Sequence, residues 1–354
     1  MKKTVSVILI SVFILLCALP SLMMLFFGPA KATANEILSP EASFVDSSGK
    51  FNKSVLNDFS DWFSDRFAFR SELSTFWAGI NAKLFGISVE NKVILGKNDW
   101  LYYRETIDDY SGVRLTEDEL RRAAENLLSI QNYCASKNVD FVFTVAPNKN
   151  SLYFENMPTI INRSIDASNA RRLYDMLDEL NVHHADLYSA FTSENEVLYF
   201  KTDSHWTSKG AALAADRLLG ELGRESSWYS SDFSLQKPHT GDLYEMLYPA
   251  GKTTETDWFP SRDFTYICES DPNGGNALNI RTSCENGTGS LLCWRDSFGI
   301  SLYPYLAESF SKAYFSRASS YNISLIEDGD YDTVIIEIVE RNISRLCDMD
   351  VPEY

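Results

Sequence analysis

The sequence predicts an α/β fold: a three-layer arrangement in which helices cover both faces of a mainly parallel sheet. Three observations carry this. Strand-like and helix-like runs alternate from about residue 115 onward. The run Thr333-Val334-Ile335-Ile336-Glu337-Ile338-Val339 is β-branched and almost wholly apolar, as a strand buried on both faces requires. Polar clusters fall where the strands should end, which is where open α/β sheets place ligands and nucleophiles.

The chain opens with Lys2 and Lys3, then an uncharged apolar run from about Thr4 to Phe27, then Ala30-Lys31-Ala32-Thr33-Ala34. A run this long crosses a bilayer of roughly 30 Å as a helix. The Ala-x-Ala spacing ending at Ala34 reads equally as a signal-peptidase site. Residues 1–34 are therefore a membrane anchor or a signal peptide. In either case the lysines stay cytoplasmic and everything after Asn35 is exported, whether anchored or secreted.

Residues 35–114 read as an aromatic-rich arm packed on the main domain, with a helix over Asp61–Arg70 followed by Val93-Ile94-Leu95-Gly96 and Trp100-Leu101-Tyr102-Tyr103. The main domain is expected over 115–346. Thr116 and Glu119 form a capping box ahead of a helix carrying Leu120, Ala124, Leu127 and Ile130. A strand at 141–145 stops at Pro147, a helix spans about 167–180, and a short apolar run passes His183 to Leu187. Thr207 or Ser208 caps a helix from Ala211 to Leu222. Between about 225 and 289, Pro, Gly, Asn and Thr break the rhythm, which reads as an insertion of short strands and loops. Alternation resumes with a strand at 291–294, a helix over about 300–310, a strand near 313–315 and the closing strand at 333–339. Residues 347–354 form a tail.

Composition excludes several roles. The chain has 354 residues, 45% of them hydrophobic, so it can build a large core. With 32 Lys+Arg against 49 Asp+Glu it carries a formal charge of -17, which disfavours nucleic acid as a partner. Six cysteines are too few for a disulfide framework; Cys268 and Cys284 could pair across a Gly-Asn-rich loop in an oxidising compartment, a pairing that spacing alone does not decide. No CxxC pair and no HExxH motif is present, so no metal or cofactor is expected.

Three polar clusters remain. Arg295-Asp296-Ser297-Phe298-Gly299 lies between a strand and a helix, where a serine hydroxyl projects from the sheet edge and N–H groups at the helix start face any oxyanion formed beside it. Helix capping is the alternative role for that serine. In Thr202-Asp203-Ser204-His205-Trp206, an extended segment would turn Asp203 and His205 to the same side, leaving one ring nitrogen of His205 available as a base. A structural histidine is the alternative. His184, beside Asp186 on an apolar strand, is read as structural. Asn148, in Pro147-Asn148-Lys149, supplies either a turn or an oxyanion donor. Trp294, Phe298, Tyr303 and Tyr305 are candidates for stacking on sugar rings, or core residues.

The ordered pairing of Thr-Asp-x-His-Trp at 202–206 with Asp-Ser-Phe at 296–298 resembles the SGNH-hydrolase-like domain of the alginate acetyltransferase type, the AlgX/AlgJ-like or DHHW proteins. Asp65–Arg70, Ile94–Lys97 with Trp100–Tyr102, Val145–Lys149, Gly241-Asp242-Leu243 and Val339-Glu340-Arg341 match as well, so the resemblance spans about residues 50 to 345. It implies an SGNH-like fold and a triad of Ser297 as nucleophile, His205 as general base and Asp203 as its orienting carboxylate; Asn148 and Gly299 are candidates for oxyanion or positioning roles from their places at a strand end and a helix start, not from the resemblance. It further implies a serine-dependent O-acetyltransferase of the cell envelope that moves acetyl from a donor to a polysaccharide acceptor, beside a multi-pass membrane acyltransferase. A carbohydrate O-acetylesterase and a non-catalytic glycan-binding scaffold are the alternatives. Two positions depart from the pattern: Arg295 stands where glycine commonly precedes Asp-Ser, and Ser204 where the name-giving motif has histidine.

Overall fold

The structure is a computed structural model that describes residues 2–31, 38–252, 255–269, 277–318, 321, 323–328, 330–349 and 351. The cleavage motif ending at Ala34 lies outside these residues. The chain divides into two compact units, one of Met1–Asn91 with Tyr244–Thr253, the other of Lys92–Leu243 with Thr254–Tyr354.

In the first unit, α1 (Lys2–Phe27) contains a stretch, Thr4–Phe27, that is long and apolar enough to cross a membrane. Two helices follow, α2 (Val55–Arg66) and α3 (Arg70–Phe85). The single helix expected over 61–70 is interrupted because Phe67 turns to extended backbone, ψ 146°, and ends α2, while Phe69, left-handed at φ 63°, precedes the start of α3. The Thr75 hydroxyl accepts from the Ala250 N–H at 2.9 Å, tying the distant segment to this unit.

The second unit begins with a two-stranded ribbon, β1 (Val93–Leu95) and β2 (Leu101–Tyr103), and a helical turn α4 (Ile107–Ser111). Then come α5 (Glu117–Ser136), β3 (Asp140–Ala146), α6 (Lys149–Leu152), α7 (Asn169–Glu179), β4 (His184–Ala185), α8 (Leu187–Thr192) and α9 (Ser208–Glu221). The stretch from 233 onward supplies β5 (Phe233–His239), α10 (Asp242–Leu247), which runs on into the Tyr244–Thr253 segment of the first unit, β6 (Glu255–Pro260), β7 (Ile267–Cys268) and β8 (Asn279–Ser283). The chain closes with β9 (Ser290–Trp294), α11 (Gly299–Ala307), β10 (Lys312–Ser316), α12 (Ser324–Asp328), β11 (Thr333–Val339) and a 3₁₀ segment, Glu340–Asp348.

Seven strands form the main sheet in the order β4-β3-β11-β9-β10-β8-β7. The pairs from β4 to β10 are parallel, and β8 and β7 continue the edge antiparallel. Alternation along β11 explains the layering. Val334, Ile336 and Ile338 pack on one side with Leu120, Leu127 and Leu173, while Ile335 and Val339 pack on the other with Leu218, Leu302 and Leu306. The capping box at Thr116 and Glu119 is formed, and Thr207, not Ser208, caps α9 by accepting from Gly210 N–H.

The structure decides three points that the sequence misreads or leaves open. The stretch 225–289 is not wholly an insertion, since β7 and β8 extend the main sheet. Trp294, Phe298, Tyr303 and Tyr305 are all buried core residues, so none offers a face to a sugar. Cys268 and Cys284 are not joined by a disulfide. The β7–β8 register pairs Cys268 with Thr282 and leaves Cys284 diagonal to it. Diagonal neighbours lie about 7–8 Å apart, beyond the usual disulfide span.

Candidate active site

The segment from Leu198 to Thr207 folds into a closed loop ahead of α9. Tyr199 and Trp206 pair as an isolated bridge, and Thr207 N–H donates to the Leu198 carbonyl at 2.8 Å. Inside the loop the buried Lys149 ammonium donates to the carbonyls of Phe200, Lys201 and Asp203 at 3.1, 2.9 and 2.5 Å. Its cation also lies over the rings of Trp100 and Tyr102, at 5.6 and 5.3 Å. A loop of inward carbonyls needs such a donor, because buried acceptors left unpaired are costly.

This loop is bent, not extended as the sequence reading assumed. Asp203 and His205 nevertheless meet, because Asp203 Oδ1 accepts both the His205 N–H at 2.9 Å and His205 Nδ1 at 2.7 Å. The turn carrying Ser297 approaches from the end of β9. Asp296 holds it: Oδ1 accepts from Phe298 N–H at 2.8 Å and Oδ2 from Val339 N–H at 2.7 Å. The Phe298 N–H is thereby occupied and is not an oxyanion donor. Trp206 then fastens loop to turn, donating through Nε1 to Ser301 Oγ at 2.8 Å and to the Phe298 carbonyl at 3.2 Å. Its ring meets Phe298 edge-on with centroids 4.9 Å apart. In the result, His205 Nε2 lies 2.8 Å from Ser297 Oγ, across 92 positions of sequence.

Two further groups reach Asp203 that the sequence reading did not assign. Its second oxygen, Oδ2, accepts from His239 Nε2 at 2.8 Å and from the Asp242 N–H at 3.0 Å. The Asp242 carboxylate in turn accepts from Ser204 N–H at 2.7 Å and Ser204 Oγ at 2.6 Å. Gly241 is what permits this approach, since a Cβ there would sit 2.1 Å from the Thr202 carbonyl oxygen. Gly241→Ala is therefore expected to push Asp242 off Asp203, costing about 1–3 kcal/mol. Denaturant titration checks this, and unchanged stability contradicts it. The Gly-Asp-Leu signal was visible in the sequence, but nothing there linked it to a loop some 38 positions away.

The electrostatics follow from these contacts. Burial alone would raise the Asp203 carboxyl, but the His205 charge and the hydrogen bonds from His205 and His239 outweigh it and hold it well below the usual range. Burial pushes the His205 imidazole down, and the Asp203 charge and hydrogen bond, with Asp242, more than reverse this. Asp203, His205 and Asp242 offer atoms within 4.8 Å of one another, the spacing of a cation site. However, the imidazole already sits in direct hydrogen bond to Asp203, and both Asp203 oxygens are saturated by N–H donors. The cluster fits a proton relay better than a metal.

Asn148 and Gly299 are not hydrogen-bonded to Ser297 or His205 among the described residues. Asn148 lines a small cavity with Tyr103, Ser204 and Arg341, and its Oδ1 is buried without a partner among the described residues. Gly299 starts α11, where a Cβ would fall 2.6 Å from Arg295 Cβ, so the Arg295 side chain occupies the space a larger residue would need. His184 stacks on Tyr174 with centroids 4.8 Å apart, away from this cluster.

Glu340 pins the turn that carries Asn148, accepting through Oε2 from Asn148 N–H at 2.8 Å and Ser151 Oγ at 2.7 Å. Burial first, and then the Asp109 charge, push its carboxyl up to about 7. Above about pH 4.5 the unfolded chain releases this proton and the folded one keeps it. Stability therefore falls as pH rises from about 4.5 to about 7. Glu340→Gln is expected to remove that slope and to gain roughly 2–3 kcal/mol relative to the parent above pH 7. Denaturation midpoints at acidic and neutral pH check this, and parallel curves would contradict it.

Fold and site together define a three-layer α/β protein carrying a serine, a histidine and an aspartate in hydrogen-bonded series. The chain belongs to the family of the SGNH hydrolase-like domain of acetyltransferase AlgX, whose family model matches residues 93–275. That match includes Asp203, His205, His239 and Asp242 and ends before Ser297. Among relatives, the probable alginate O-acetylase AlgJ of Pseudomonas syringae pv. tomato is 23% identical over 258 residues, 70% of this chain and 61% of that protein. The chain thus spans about three fifths of this relative's length. Among solved structures, Bacillus cereus PatB1 superposes with a TM-score of 0.56 at 17% identity, covering 73% of this chain and 99% of PatB1. A DHHW family protein from Eubacterium siraeum gives 0.51 at 18% identity, with 74% and 99% covered. These two likenesses establish the fold.

Proposed function

We propose that this chain is a serine-dependent O-acetyltransferase that carries acetyl on Ser297 and delivers it to a hydroxyl of a polysaccharide outside the cytoplasm. The observation that supports this most strongly is the unbroken series of hydrogen bonds, 2.8 Å from Ser297 to His205 and 2.7 Å from His205 to Asp203. Family membership supports the reaction class. The relative named as a probable alginate O-acetylase supports a polysaccharide acceptor.

In the first half-reaction His205 Nε2 takes the Ser297 proton while Oγ attacks the acetyl carbonyl carbon of an ester donor. The bond to the donor oxygen breaks, and His205 returns the proton to that oxygen. In the second half His205 takes the proton of an acceptor hydroxyl, whose oxygen attacks the acyl-enzyme carbonyl, and Ser297 regains its proton. Asp203 keeps Nδ1 of His205 protonated and steadies the imidazolium formed in each half. The Gly299 N–H at the start of α11 and the Asn148 amide take the part of oxyanion donors, with Arg341 adding positive charge to the cavity it shares with Asn148. The apolar helix Lys2–Phe27 anchors the catalytic unit at the membrane, where a multi-pass acyltransferase supplies activated acetyl.

The test is the fate of acetyl from a chromogenic ester, with and without an oligosaccharide acceptor. O-acetylated sugar formed at the expense of free acetate is expected. Free acetate alone, across uronate-containing and neutral oligosaccharides, would make the chain an esterase.

A further inference from the structure

Of the four histidines in the chain, two converge on one carboxylate. His205 occupies Oδ1 of Asp203, and His239, the last residue of β5, occupies Oδ2. The His239 ring lies flat on Phe200 at 3.9 Å between centroids and 15° between planes, so its orientation is set by packing as well as by the hydrogen bond. Phe200 itself belongs to the loop that Lys149 holds from within. The reaction needs one imidazole on Asp203, and a second one stacked and aimed at the other oxygen is left over.

We propose that His239 is a positioning residue for the triad: it fixes the Asp203 carboxylate opposite His205 and shares that carboxylate's charge, so that it sets the lower pH limit of acyl transfer. This rests on the function proposed above for Ser297 and His205. The chemistry is that of two bases on one anion. Neutral His239 donates Nε2–H to Asp203. Once His239 is protonated, a second positive charge on His205 is disfavoured by repulsion across the carboxylate, so the two imidazoles do not take up protons independently. Both side chains are partly exposed, His239 the more so at 31% against 24%; His239 takes the first proton, and His205 stays a free base to lower pH than Asp203 alone would allow. The other charges facing these rings are accounted for. Asp257 and Glu255 on β6 face His239, and Lys237 lies on its own strand. Asp242 and Arg341 act on His205 in opposite senses. Burial is outweighed at both rings by Asp203, so each titrates above its ordinary value.

The position of His239 also bears on Ser204. Where the name-giving family motif carries histidine, this chain has a serine that spends its hydroxyl on Asp242. The second imidazole on Asp203 is that of His239, from β5.

The test is a pH titration of the histidine ring signals of the full-length chain in detergent by NMR, with ring-labelled histidine, alongside the pH profile of acetyl release from a chromogenic ester. In the parent, the signals of His205 and His239 are expected to titrate interdependently, each sensing two steps. In His239→Gln, which keeps a neutral N–H donor, His205 is expected to titrate in one step with its midpoint higher by roughly half a pH unit or more. The acid limb of acetyl release should move up by the same amount. His239→Ala should give this shift and also a lower plateau rate, because Oδ2 loses a donor. A His205 midpoint unmoved in His239→Gln, or independent single-step titrations in the parent, would overturn the proposal. A purely structural His239 would lower the plateau in His239→Ala, be rescued by Gln, and leave the acid limb in place. If the parent releases no acetyl, the function proposed above fails, and the ring titrations still decide whether the two histidines share Asp203.

Discussion

Ser297→Ala is expected to lower acetyl release from a chromogenic ester by about 10³–10⁶-fold while leaving the thermal transition within a degree or two of the parent. The size follows from the role. Without Oγ no acyl-enzyme forms, and what remains is the rate that oxyanion donors and binding give to direct attack by water. The fold should tolerate the change because Ser297 is only half buried and its hydroxyl bonds to His205, while Asp296 and Phe298 hold the turn through their own contacts. His205→Ala should cost a similar factor, and the double variant hardly more than either alone, since the two act as one unit. An additive double variant, or a Ser297→Ala enzyme that retains a tenth of its rate, would mean that another group carries the acetyl.

Lys149→Met should produce the largest effect of any residue with no direct part in the chemistry. The substitution retains much of the volume but removes the donor of three hydrogen bonds to Phe200, Lys201 and Asp203. Burial pushes the lysine down to about 8, against the opposing charges of Asp203, Asp242 and Glu255, so near neutral pH it remains largely a cation. Removing it leaves the carbonyls of Phe200 and Asp203 without a donor and that of Lys201 with the Leu101 N–H alone, at about 2–4 kcal/mol in total. It also frees the peptide of Asp203, and a displacement of His205 by an ångström would cost on the order of 10²-fold in rate. Denaturant titration and ester turnover together check this. A Lys149→Met protein that is stable and fully active would show that the loop holds its shape without the ammonium, through the Tyr199–Trp206 bridge and the bonds its N–H groups make to Glu255 and Asp242.

Much of the core was legible because its signals are local. The 116–119 capping box, the apolar alternation of α5 and the β-branched run of β11 depend only on neighbours a few positions away. Asp203 and His205 were found for the same reason, although their pairing arises from a bend and not from extended backbone. The reading failed where partners are distant. Nothing near His239 or Asp242 announces that they meet Asp203, and their segment was set aside as an insertion because Pro, Gly and Asn obscure its strands. The aromatic residues around Ser297 stay divided between sugar platform and core in the sequence, because an aromatic there carries no sign of burial. In the fold, Phe298 sits among His205, Tyr199 and Trp206 and helps to hold the triad together.

The central claim is that Ser297 becomes covalently acetylated. Its most direct test is mass spectrometry of the full-length protein, quenched in acid after brief exposure to an acetyl ester and then mapped by peptide. The account predicts a single acetyl adduct on the peptide containing Ser297, absent from Ser297→Ala and lost when an acceptor sugar is added. An adduct on a different residue that persists in Ser297→Ala, or turnover of the ester with no adduct under any quench, would contradict it.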